Sequence, residues 1–235
     1  MMSCASVSVS HMISGNVPPV KLPEKIYLEK FEAVPIGFQV NRRGKNLSTL
    51  MNNEQTQLAN DIIIRLNKYV APTVLLKADE VPSTGNFWLL RGSFKKVHEG
   101  SRLLRAAIGL GFGKTRMETN VQLIDLSRPG YDSILLTLQT TGGSGMAPGA
   151  ITAFTPIGPF VLSNTLINAG GSLGGALGSG ISIDRCRTAR EIVAAISQYC
   201  VQEHLISKKK GLHPKQLGKL PCFLMSYQKI FSIHV

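Results

Sequence analysis

Over residues 115–126 the chain alternates, with Met117, Val121 and Leu123 to one side and Glu118, Asn120 and Gln122 to the other. A period of two sends successive side chains to opposite faces of a strand, so a sheet holding this segment needs a cover on one face. Two helical stripes can supply it. Over residues 54–69, Leu58, Ile62, Leu66 and Tyr69 recur at helical spacing, and Ala59 and Ile63 widen the stripe. Asn52, with Gln55 three residues on, offers an N-cap, and Pro72 forbids continuation. Over residues 184–205, Ala189, Ile192, Val193, Ile196 and Cys200 make a second stripe, capped by Asp184.

Further strands are expected at residues 25–33, 73–77, 86–97 and 133–141. In the third, Trp88, Leu90 and Phe94 share a face opposite Arg91, Ser93 and Lys95. Pro129 and Gly130 mark a turn that pairs 115–126 with 133–141 as an antiparallel hairpin. The pattern predicts an α/β (α+β) fold: a two-layer sandwich in which two main helices pack on one side of a mixed, mostly antiparallel sheet of about five strands.

Residues 133–183 form 51 consecutive positions without Asp, Glu, Lys, Arg or His. Within them Gly170, Gly174 and Gly178 recur every fourth residue, as do Gly171 and Gly175, a spacing that lets helices pack closely inside membranes. Pro156, Pro159, Asn164 and Asn168 argue against a full span. Residues 142–183 are read as a glycine-rich insertion, with a membrane-associated helical segment as the alternative. The domain is expected over residues 25–206, after an N-terminal tether at 1–24 and before a basic tail at 207–235.

The formal net charge of +12 resolves into two places. Residues 91–116 hold seven cations and one acid, Glu99; residues 206–235 hold six lysines and no acid. An anionic partner should meet one of these segments, unless they are plain solvated surface. Around the first, Gly109, Gly111 and Gly113 alternate where a strand begins and allow a bend or a close backbone approach. Arg102, Arg105, Lys114 and Arg116 place positive charge there, giving a candidate anion-binding lip; a purely structural bend is the competing reading.

Gly109 to Thr115 imitates a phosphate-binding loop, but the required first glycine falls at Ile108 and the following segment alternates as a strand. His11, His98, His204, His213 and His234 show no metal-ligand spacing, and no nucleophile motif occurs. Phe94 and Phe112 lie among the cations, as a base-stacking surface would require. Of Cys4, Cys186, Cys200 and Cys222, the middle pair on one helix would stand roughly 21 Å apart, too far to bridge, and no structural disulfide is expected. Ser3 and Cys4 fit the end of a bacterial lipoprotein signal, where a small residue precedes the lipidated cysteine. The apolar segment of such a signal is then expected upstream of Met1.

Arg91-Gly92-Ser93-Phe94, Glu99-Gly100-Ser101-Arg102, Arg105, the run from Ile108 to Gly113, and Leu123-Ile124-Asp125 together resemble a bacterial lipoprotein family catalogued as domain of unknown function 4410. Ile183-Asp184-Arg185 and Ala189-Arg190-Glu191-Ile192 fit its closing helix. The resemblance spans roughly residues 25–206. It implies an envelope-anchored α/β domain of unknown activity and brings no catalytic residues with it.

The expected protein is a non-enzymatic envelope lipoprotein of the outer membrane or periplasm, anchored through Cys4. It would bind an anionic membrane or glycan surface or an envelope protein. A cytosolic basic module that binds nucleic acid is the alternative. No cofactor, metal or catalytic residue is expected.

Overall fold

A computed structural model describes residues 6–77, 85–100, 115–128, 130–143, 151–155, 158–162 and 181–208. The strands are β1 (Ser6–Ser14), β2 (Lys25–Leu28), β3 (Phe38–Gln39), β4 (Thr73–Leu75), β5 (Phe87–His98), β6 (Arg116–Asp125), β7 (Ile134–Gly143), β8 (Ile151–Thr155) and β9 (Gly158–Leu162). The helices are α1 (Lys45–Tyr69) and α2 (Ile181–Gln202). Seven strands make one sheet in the order β1-β7-β6-β5-β2-β4, with β3 also on β5. The pairs β1–β7, β7–β6 and β6–β5 are antiparallel, while β2 and β3 run parallel to β5 and β4 runs parallel to β2. The sandwich is the expected class, with seven sheet strands in place of about five.

Alternation in β6 does what its sequence demands. Met117, Thr119, Val121 and Leu123 are buried, and Glu118, Asn120 and Gln122 only partly so. Trp88, Leu90 and Phe94 of β5 and Leu136 and Leu138 of β7 join the buried side, facing Leu58, Ile62 and Leu66 of α1 and Ile192, Val193 and Ile196 of α2. Burying a side chain of this size stabilises the fold by about 1.5–3 kcal/mol. Phe31 lies directly over Gly92, where an added Cβ would come within 2.7 Å of its ring and 2.6 Å of the Asn120 carbonyl. The glycine is what lets the aromatic reach Phe94, whose ring it meets edge-on at 6.1 Å.

The tether reading is corrected over Ser6–Ser14, which is an edge strand pairing β7 from Ser6↔Gly143 to Ser14↔Leu136. Val7 and Val9 point into the core, then a bulge between Val9 and His11 shifts the parity and Met12 points inward instead. That single inserted residue breaks the alternation that marks a strand. Helix α1 likewise begins at Lys45, well before residue 54. Leu50 is buried on the same side as Leu58, so the stripe extends backward, and Asn52 is no cap: its side chain accepts a hydrogen bond from Lys30 at 2.6 Å. Gly142 and Gly143 belong to β7 and residues 181–183 to α2, which trims the insertion; β8 and β9 form a hairpin inside it. The glycine repeat at 170–178 and the tail beyond residue 208 lie outside the described residues.

Candidate functional site

Four register pairs define one end of the sheet. Gln39 pairs with His98, His98 with Arg116, Arg116 with Gly143, and Gly143 with Ser6. At the usual strand spacing this row is roughly 19 Å long. Three chain segments enter or leave along it: the N-terminus at Ser6, the insertion after Gly143, and the β5–β6 connection between Gly100 and Thr115. The turn from β3 into α1 adds Arg42, Arg43 and Lys45 at the same end.

Charge at this end is unbalanced. Arg42 donates to Glu99 at 3.0 Å, and Arg116 pairs with Glu118, so both nearby acids are engaged. Arg43, Lys45 and Lys95 are exposed and Lys96 partly so, and among the described residues none of them forms an ion pair. Helix α1 opens here with no acid in its first turn and no side chain capping its amides. Its dipole therefore adds positive potential to that of the side chains.

Of the expected lip, Arg116 is placed here with its side chain 46% exposed. Arg102, Arg105, Lys114, Gly109, Gly111, Gly113 and the lipidation candidate Cys4 lie outside the described residues, as does Phe112. Phe94 is on the helix side, wedged edge-on between Phe31 and Phe38, and cannot stack on a base. Arg42, Arg43 and Lys45 were not singled out from the sequence, although no acid occurs between Glu32 and Glu54 and that gap was legible.

A second charged group lies in the seam between the helices. Arg185 reaches Glu54 at 3.1 Å and Asp61 at 3.5 Å, while Arg65 donates to the Asp61 carbonyl at 2.7 Å and to the Cys186 sulfur at 3.3 Å. Burial pushes the Glu54 carboxyl up, against the pull of Arg185. Burial also raises Glu191 to about 7, opposed only by Arg190. This network pins α2 to α1; breaking one partner would strand a buried charge. Cys186 is disulfide-bonded, with its partner outside the described residues, against the expectation of no bridge. The rejected pair was Cys186 with Cys200, and Cys200 is indeed free, its buried thiol pushed up to about 12.

Among the described residues no group of His, Cys, Asp and Glu could hold a metal, and no helix is long and apolar enough to cross a membrane. His98 is occupied locally, accepting the Gly100 amide at 3.0 Å.

No curated protein matches the chain. Among solved structures it is similar to the PelC dodecamer from Paraburkholderia phytofirmans, at 12% identity over 62% of this chain and 86% of that one, with a TM-score of 0.35. It is also similar to the hypothetical protein CT253 from Chlamydia trachomatis, at 12% identity over 75% and 97%, with a TM-score of 0.37. Superpositions this loose carry nothing about assembly or activity. The sequence profile described as "Domain of unknown function (DUF4410)" matches residues 26–158, from β2 through the sheet to the start of β9, and the chain belongs to that family.

Proposed function

We propose that this protein is a cell-envelope lipoprotein that works by binding, attached to a bilayer through Cys4, which requires that the Cys186 bridge not use Cys4, and offering its body to an anionic surface or an envelope protein. The observation that supports this reading is the entry of the chain into the sheet. Ser6 already pairs with Gly143, and two residues span at most about 7 Å. A lipid on Cys4 would therefore hold the row of strand ends close to the headgroups, without a long leash. The unbalanced cations are at that same end.

The test is expression in a bacterial host from the gene with its own upstream codons, followed by palmitate labelling and fractionation. Label that enters the protein, partition with membranes, and loss of both in Cys4→Ser are expected. An unlabelled chain that stays in the soluble cytoplasmic fraction would sink the reading.

A further inference from the structure

We propose that the corner formed by the β3–α1 turn and the last residues of β5 is a docking surface for anionic phospholipid headgroups, so that the anchored domain stands with this end against the bilayer. The inference deepens the lipoprotein reading above and names the surface that the bound body presents.

Three observations converge on the corner. Among the described residues Arg43, Lys45, Lys95 and Lys96 have no acid to neutralise them, since Glu99 and Glu118 are taken by Arg42 and Arg116. Lys95 and Lys96 stand three and two residues before His98, within about 10 Å of the row along the strand. The short 3-10 turn Pro35–Gly37 then lays its backbone against β5: a Cβ on Gly37 would come within 3.3 Å of the Lys95 carbonyl. That contact sets Ile36, 89% exposed, and Val34, 51% exposed, beside the lysines.

An exposed apolar tip next to long cationic side chains suits the boundary between headgroups and acyl chains. The cations meet phosphate while the aliphatic group dips below it. A nucleic acid would use the charge but has no use for Ile36. Continuity gives the last argument, because the row that starts at Ser6 ends at Gln39, and Asn41 to Lys45 follow directly. The opposite end of the sheet also exposes an apolar side chain, Val20 at 92%, but not the excess of charge: among the described residues there, Lys21, Lys25 and Arg128 stand with Glu24 and Asp125, and Asp125 holds Arg128 at 3.2 Å.

The full chain carrying Cys4→Ser removes any lipid from the measurement. Its binding is followed by flotation with vesicles of phosphatidylglycerol and phosphatidylcholine, and with vesicles of phosphatidylcholine alone. Binding to the anionic vesicles only, weakening with salt, is expected. Each cation lost at such a surface weakens binding about fivefold. Arg43→Glu with Lys45→Glu should therefore lower it at least about 25-fold, and Ile36→Ser should lower it further. The far-end pair Lys21→Glu with Lys25→Glu makes the same change in net charge and should leave binding within about twofold. The tail lysines contribute equally to every variant.

Equal loss in both pairs, no loss in the corner pair, or equal binding to neutral vesicles would overturn the proposal. So would corner-dependent binding to a single-stranded oligonucleotide in the absence of vesicle binding. Should the Glu pair lower the melting temperature, Arg43→Gln with Lys45→Gln carries the same test. Because Cys4 is absent throughout, a failure here is distinct from a failure of palmitate labelling.

Discussion

The two ends of the sheet are built from the same strands and differ in what they do with their loops. At the far end the connections are tied down. Arg128 donates to the carbonyls of Val17 at 2.7 Å and Pro18 at 2.8 Å while pairing with Asp125 at 3.2 Å. Asn86 donates to the Leu22 carbonyl at 2.8 Å, and the Gly15 amide donates to Leu135 at 2.8 Å. At the near end the chain leaves the sheet three times and, among the described residues, the exposed cations Arg43, Lys45 and Lys95 pair with no acid. Side-chain hydrogen bonds to loop carbonyls are spent where the fold is closed, and unspent charge collects where it is open. Rigidity at one end and the proposed recognition at the other can then change independently.

The largest effect should come from the closed end. A Cβ on residue 15 would come within 1.9 Å of the Ile134 carbonyl, a backbone atom that cannot swing aside. Gly15→Ala should cost about 3 kcal/mol or more in a urea melt, with vesicle binding of whatever remains folded unchanged. A smaller loss than about 1 kcal/mol would mean that the far end is looser than its hydrogen bonds suggest.

A pH scan separates both ends from the layer behind them. The proton on Glu191 is held up to about 7 in the folded chain against an ordinary 4.5. Its contribution to stability is full below the ordinary value and is lost as pH rises through the folded one. The domain should thus weaken between those limits by up to about 3 kcal/mol. Glu191→Gln should flatten the curve; a curve unchanged by that substitution would assign the pH dependence elsewhere.

Arg128→Ala removes the clamp on the loop before β2 and should cost about 1–2 kcal/mol, since two carbonyls lose a charged donor at a partly exposed site. The smallest effect belongs to the open end. Arg43→Glu with Lys45→Glu, expected to damage vesicle binding, should move thermal stability by no more than about 0.5 kcal/mol. A drop as large as that of Arg128→Ala would show the corner to be structural and erase the contrast.

Much of the body was legible residue by residue. The alternation of residues 117–123, the stripe from Leu58 to Leu66 and the stripe from Ala189 to Cys200 all face the core as their spacing requires. Legibility failed where one residue disturbed a period, as at the bulge that moves the inward position from Val9 to Met12. It failed also where a stripe ran on through polar neighbours, as from Leu58 back to Leu50. Of the candidate site, Arg116 could be picked out and the β3–α1 cations could have been. That they belong together could not.

Local pattern sets which side of a strand or helix is apolar, because that depends only on backbone periods of two and 3.6. By itself the sequence therefore determined the two layers and most of the residues between them. Only the tertiary structure decided that Gln39, His98, Arg116, Gly143 and Ser6 share one row, placing the N-terminal entry beside the cationic corner. Register between distant strands is chosen by summing all cross-strand contacts and the core they close, and no short window of residues contains that sum.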